Sequence, residues 1–359
     1  MLKLIFAGLL SIPCLLLCIT VAPVIAILSI PPLLLLIFRK DDNDSSSQQR
    51  SPDHVVIVGG SSGIGLSIAK ECIKRGIPHI VLLARNKEKL ERAKKMLLSE
   101  ITTTPVKIDI FSVSVSDYPS LEKIVQKELV DIKKNKHDHR TILFNCAGIP
   151  YTAEFEKIPI EQYSNLINTN QLGTMYVVKA FLPIIENGTI VFTSSAAGQV
   201  GLYGYAAYSP TKYALRGFAE ALQQELLYSR PNVRVQIAFP ADTDTPGYQE
   251  ESKMMPEITK KLNDSAGLAN PDDTAKKMLS SATAMNPKFA VAFNFEGWML
   301  ANLTAGMSPV SNLSDAITQV TLSGIFRFIS LFYLNDWWNT IRESRTTNTN
   351  SNINSVKSD

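Results

Sequence analysis

Val55-Val-Ile-Val58, followed without a gap by Gly59-Gly-Ser-Ser-Gly-Ile-Gly65, decides the fold of this 359-residue chain. The apolar, β-branched run suits a strand buried on both faces of a parallel sheet. The glycines let the backbone turn tightly and approach a pyrophosphate. The amides opening the next helix, Ile64 to Lys74, supply donors at its positive end. Gly59, Ser61, Ser62, Gly63, Ile64 and Gly65 are therefore candidate cofactor-binding residues. Three residues separate Gly59 from Gly63, so the run departs from the G-x-G-x-x-G pattern.

A second strand is expected at Ile80 to Ala84, ending on Arg85, where the side chain that inspects the adenosine ribose should sit. An acidic residue there would accept bonds from a free 2′-hydroxyl. Arg85, with Lys89 one turn into the next helix (Asn86 to Glu100), offers cations to a 2′-phosphate instead, which favours NADP(H) over NAD(H). Further strands are expected at Val106 to Ile110, Thr141 to Phe144, Thr189 to Phe192 and Val233 to Ala238, alternating with helical stretches. The pattern predicts a doubly wound, mostly parallel α/β sheet, Rossmann-like, over residues 54–288.

Downstream, Ser195, Tyr208 and Lys212 stand thirteen and four residues apart. A Tyr-x-x-x-Lys match means little alone in a chain with 11 tyrosines, but its place after the glycine turn raises its weight. Reducing a ketone needs a hydride on carbon and a proton on oxygen, and a phenol of pKa near 10 is a sluggish acid. Lys212, on the same helical face as Tyr208, is expected to lower that value. Ser195 follows a strand and can donate to the same carbonyl oxygen, with Ser194 as the rival hydroxyl.

These segments, with Asn145-Cys-Ala-Gly148 and Asn170, occur in the order of the short-chain dehydrogenase/reductase family, which the chain resembles from about residue 54 to 250. The resemblance implies a catalytic set of Ser195, Tyr208, Lys212 and Asn170, with Asn170 holding a water that connects the lysine to solvent. It also implies cofactor contacts from Asn145, Ala147, Gly148, Tyr208 and Lys212, and carboxamide contacts from Thr243 and Thr245. In three places the chain departs from the family pattern. Val58 replaces a threonine, Ala241 a glycine, and Ser114 stands where an aspartate beside the adenine is expected, with Asp109 and Asp117 as nearby alternatives. Ala84-Arg-Asn86, the segment Ala207 to Ala221 and Asp242-Thr-Asp-Thr-Pro-Gly247 look most like the branch that reduces 3-ketodihydrosphingosine to dihydrosphingosine with NADPH. That branch implies an endoplasmic-reticulum membrane location with the catalytic domain facing the cytosol. A membrane-bound steroid or retinoid carbonyl reductase and a catalytically inactive nucleotide-binding scaffold are the competing expectations.

The chain ends bear on substrate class. Residues 1–40 read as a hydrophobic membrane anchor, uncharged from Leu4 to Phe38 and divided by Pro13, Pro23, Pro31 and Pro32. Residues 41–53 form a polar linker, 289–342 an apolar membrane-associated region, and 343–359 a polar tail expected to be disordered. Within the apolar region Thr318 to Leu334 is a candidate helix, with Tyr333, Trp337 and Trp338 as headgroup anchors. A tethered enzyme can take a long-chain ketone directly from lipid, and Met254 and Met255 in Gly247 to Leu268 are expected to line its alkyl channel. A net charge of +3 argues against nucleic acid. The four cysteines lack metal or disulfide spacing, and His137 and His139 read as parts of a solvated loop. The partners implied are a lipid-like ketone and a bilayer, and homo-oligomerisation stays open.

Overall fold

The structure is a computed structural model that describes residues 51–101, 105–137, 139–263 and 267–356. The leader at 1–40 and the linker up to residue 50 lie outside the described residues. Seven parallel strands run in the order β3-β2-β1-β4-β5-β6-β7. They are β1 His54–Val58, β2 His79–Ala84, β3 Lys107–Ser112, β4 Thr141–Asn145, β5 Gly188–Thr193, β6 Val233–Phe239 and β7 Ala290–Ala292. Side-chain alternation along the strands builds a core on each face. Val55, Ile57, Ile80, Leu82, Ile142 and Phe144 pack with the helices Gly63–Lys74, Lys87–Ser99 and Pro271–Thr283. Val56, Val58, Val81, Leu83, Leu143 and Phe192 pack with Gly173–Phe181 and Tyr208–Ser229. Strand order reverses between β1 and β4, which opens a crevice at their carboxyl ends.

The strands differ from expectation at two places. β3 extends to Ser112 because Phe111 and Ser112 pair with Leu83 and Ala84 of β2. β7 lies beyond the expected boundary at residue 288. Its three residues pair with Ile237, Ala238 and Phe239, and so short a strand has no periodicity to distinguish it from the apolar stretch around it.

His139 corrects the solvated-loop reading. Its Nδ1 lies 2.8 Å from Nε2 of His54, whose Nδ1 is 3.1 Å from Nδ1 of His79. His79 Nε2 in turn pairs with Asp109 Oδ2 at 2.9 Å. Burial first, then His79 and His139, push His54 down to about 4. This chain starts where β1 and β2 start, at the sheet end opposite the crevice.

Arg140 locks the same end. Its Nη1 donates to the Thr283 carbonyl at 3.1 Å, and its Nη2 donates to the Ala282 and Ala284 carbonyls at 3.1 and 3.3 Å. A guanidinium thus covers the negative end of helix Pro271–Thr283. Charged hydrogen bonds of this kind contribute about 1.5–3 kcal/mol, so Arg140→Ala is expected to lose about 2–3 kcal/mol in urea denaturation. Arg140→Lys should recover less than half, because a compact ammonium lacks the planar fork that reaches the three carbonyls from two separate nitrogens. Wild-type stability in the alanine variant would refute the role.

The C-terminal region is tied to helix Tyr208–Ser229 by Arg216. Its Nε meets Glu220 Oε1 at 2.9 Å, while its Nη1 donates to Thr304 Oγ1 at 3.2 Å and its Nη2 to Ser308 Oγ at 2.8 Å. From there one helix spans Leu313–Val356, past the expected tail boundary at 343. Its segment Leu313–Arg345 is 33 residues long and apolar enough to cross a membrane by length and composition. Ile325, Phe328, Leu331, Phe332 and Trp338 are exposed on it. Helix Glu257–Asn263, from the lobe between β6 and β7, packs against it.

Candidate active site

The glycine turn is closed by contact. Gly59 has φ +86°, and a Cβ there would lie 2.8 Å from the Ala147 nitrogen; one on Gly65 would lie 2.4 Å from the Gly59 carbonyl oxygen. Only residues without side chains allow β1, the turn and the start of the next helix to pack this way. Ser62 caps helix Gly63–Lys74 without a side-chain capping bond, and the first turn carries no acidic residue. The positive helix end is therefore left for an outside anion. Across the crevice, Asn145 is buried at the end of β4, and neither end of its amide has a partner among the described residues. An unpaired buried amide at that point suits a polar ligand. These features together fit a dinucleotide.

The remaining cofactor candidates surround this cradle. Arg85 and Lys89 are exposed past the end of β2, and the Lys89 amide donates to the Asn86 side chain at 2.8 Å. The Ser112 hydroxyl donates to the Arg85 carbonyl at 2.9 Å and fixes the backbone there. Of the alternatives to Ser114, Asp117 caps the next helix through the Ser120 amide at 3.1 Å, and Asp109 is held by His79 and Lys107. Thr243 donates to the Ala241 carbonyl at 2.8 Å. Thr245 caps helix Pro246–Met254, and its methyl sits 3.2 Å from where a Cβ on Gly63 would fall.

Tyr208 opens the 22-residue helix Tyr208–Ser229, which places Lys212 one turn on and on the same face. Lys212 is buried, its Nζ donates to the Thr193 carbonyl at 3.0 Å, and it stands 5.6 Å from the Tyr208 ring centroid. Ser195 begins the turn Ala196–Gly198, accepts from the Ala197 amide at 3.1 Å, and hydrogen-bonds the Tyr208 phenol. Ser194 is buried and donates to the Lys212 carbonyl at 3.0 Å, so its hydroxyl is occupied in joining β5 to the helix. Asn170 is buried in a π-helical turn; its Oδ1 accepts from the Ile149 amide at 2.8 Å and its Nδ2 donates to the Ile149 carbonyl at 3.0 Å. A Cβ on Gly148 would meet Lys212 Nζ at 3.3 Å and Asn170 Oδ1 at 3.4 Å, so these three groups share one small space.

The electrostatics differ from expectation. Burial, followed by Glu251, pushes the Tyr208 phenol above its ordinary value; the Ser195 hydrogen bond opposes this. Burial also lowers Lys212 to about 8. Desolvation therefore outweighs the expected pull of the ammonium on the phenol. Tyr208 keeps its proton at neutral pH, but the raised value makes it a weaker acid than a free phenol, so a donor role rests on its position beside Ser195 and Lys212.

The short chain dehydrogenase family model matches residues 53–256. The chain belongs to this family. A 3-dehydrosphinganine reductase from Danio rerio is 40% identical over 289 residues, covering 79% of this chain and 84% of that protein. A 3-ketodihydrosphingosine reductase from Mus musculus is 39% identical with the same coverage. An actinorhodin polyketide ketoreductase solved with NADPH aligns with a TM-score of 0.56 and 25% identity, over 67% of this chain and 92% of its own.

In this short-chain dehydrogenase the site holds groups that sequence reasoning missed. Tyr205, 5.8 Å from Tyr208 between ring centroids, is buried beside Asp242, Asn263 and Glu251. Asp242 and Tyr205 are both reached by Asn263 Nδ2, at 3.0 and 3.2 Å. Met255 is buried near the same amide, whereas Met254 is exposed.

Proposed function

We propose that this protein is a membrane-bound NADPH-dependent reductase that converts 3-ketodihydrosphingosine to dihydrosphingosine. The observation that carries the reading is the placement of the Tyr208 phenol beside Ser195 and Lys212, at a crevice whose far side is the glycine cradle. Gly59 to Gly65, Asn145, Ala147 and Gly148 would hold the dinucleotide, with Arg85 and Lys89 at its 2′-phosphate. NADPH, when bound, supplies the hydride to the carbonyl carbon. Tyr208 gives its proton to the ketone oxygen, and Ser195 donates a second hydrogen bond as charge develops there. Lys212, held by the Thr193 carbonyl, balances the phenolate left behind. Asn170 orders the backbone at Ile149 that forms the floor beside Lys212.

Membrane attachment fits the substrate. Drawing each methylene of a long chain into water costs about 0.8 kcal/mol, which uptake from a bilayer avoids. The helix Leu313–Arg345 supports attachment, and its packing against Glu257–Asn263 supports placing the substrate lobe near lipid. The cysteines, without disulfide spacing, support a cytosolic catalytic domain at the endoplasmic reticulum.

Steady-state assays of the full chain in micelles should show turnover of 3-ketodihydrosphingosine above that of steroid ketones. NADPH should be preferred over NADH by about 10- to 100-fold, the worth of one or two charge-assisted bonds. Arg85→Asp should erase that preference. Preferential turnover of a steroid ketone would overturn the substrate reading, and equal use of both cofactors would overturn the role of Arg85.

A further inference from the structure

We propose that Glu251 and Asp242 form a seat for the ammonium group of the substrate, so that the enzyme selects a long-chain α-amino ketone over a plain ketone. The inference rests on the function proposed above and assigns it a specificity element. 3-Ketodihydrosphingosine carries its amine on the carbon next to the ketone. Whatever reads that amine must therefore lie within a few ångströms of the carbonyl that Tyr208 protonates.

Glu251 is the buried residue of helix Pro246–Met254, whose other residues are exposed or only partly covered. An apolar side chain would be expected there, since burying a carboxyl without a partner costs free energy. Glu251 is only 9% exposed, and its Oε1 has no hydrogen-bond partner among the described residues. Its other attachment is the Tyr205 hydroxyl, and the Tyr205 ring lies tilted beside that of Tyr208, 5.8 Å between centroids. Asp242, half-buried, is fixed by Asn263, which reaches Tyr205 as well. The Tyr205 ring lies 5.8 Å from that of Tyr208, and Asn263 joins Tyr205 to Asp242, so the carboxyl cluster borders the reacting tyrosine.

The charges around this pocket are unbalanced. Glu251 and Asp242 repel each other, and burial with that repulsion lifts Glu251 to about 7. Among the described residues neither forms a salt bridge, and Lys212 is committed to the Thr193 carbonyl and acts on Glu251 less than Asp242 does. An ammonium placed between the two carboxyls would meet the unpaired Oε1, relieve the repulsion and hold both groups ionised. It would also fix which face of the ketone is presented, since the carbonyl is one bond from the anchored carbon.

The test uses the full chain in micelles with NADPH. The substrates are 3-ketodihydrosphingosine and a ketone of the same chain length without the amine. Glu251→Gln keeps the shape and removes the charge, and Asp242→Asn does the same at the second position. NADPH fluorescence titration checks that each variant is folded. For Glu251→Gln the ratio of kcat/KM, amino ketone to plain ketone, is expected to fall roughly 30-fold, mainly through KM, as for loss of one partner of a buried charge pair. Asp242→Asn should lower the ratio in the same direction. Equal losses on both substrates would make Glu251 a structural or proton-handling group and overturn the proposal, as would an unchanged ratio. If the wild-type protein does not reduce the amino ketone at all, the proposed function itself fails, a result distinct from an unchanged ratio in an active enzyme.

Discussion

Tyr208→Phe is expected to lower kcat by about 10²- to 10⁴-fold, the usual contribution of a positioned general acid, while NADPH binding stays close to wild type. The phenyl ring keeps its packing against Tyr205 and the apolar wall of Ile158, Leu166 and Ala207. What disappears is the hydroxyl that hydrogen-bonds Ser195 and carries the transferable proton. Lys212 keeps its bond to the Thr193 carbonyl, so the cofactor side of the site is undisturbed. Steady-state kcat together with NADPH fluorescence titration separates the two effects. Turnover at the wild-type level would rule out Tyr208 as the donor. Binding without turnover in the wild-type chain itself would instead favour a nucleotide-binding scaffold.

The parts of the fold that were legible in the sequence are those set by local chemistry. Val55 to Val58 and the glycines of 59–65 announce a buried strand and a tight turn because both depend on neighbouring residues alone. The Tyr208 to Lys212 relation is equally local, since four residues make one helical turn. The rest depends on contacts distant in sequence. Nothing near His139 in the chain shows that it meets His54, 85 residues away, across two strand ends. Glu251 lies in a segment rich in polar residues that reads as a solvated helix. Its burial follows from the fold bringing Tyr205, Asp242 and Asn263 against it. The sign of the Tyr208 perturbation was hidden for the same reason, because proximity to Lys212 can be read from spacing but desolvation cannot.

Lys212→Met should separate stability from activity. Burial depresses Lys212 from its ordinary 10.5 to about 8 in the folded protein. Between these values the unfolded chain binds the proton and the folded one releases it, so wild-type stability rises with pH across this window. The penalty is complete below pH 8 and vanishes above 10.5. At about 1.4 kcal/mol per pH unit, the difference amounts to ~3 kcal/mol at neutral pH. Removing the amine also leaves the Thr193 carbonyl without its donor, which costs about 1–2 kcal/mol. The variant is therefore expected to be about 1–2 kcal/mol more stable than wild type at pH 7. That advantage should be lost or reversed as the pH approaches 10.5. Its kcat should fall by about 10²-fold or more, because no cation faces the phenolate. Wild-type kcat/KM should decline above pH 8, as Lys212 loses its proton in the free enzyme. Urea denaturation of both proteins at pH 7 and pH 10 reads the stability difference directly. A difference that is the same at both pH values would mean that Lys212 carries no buried charge in the folded state, and would remove its ammonium from the mechanism.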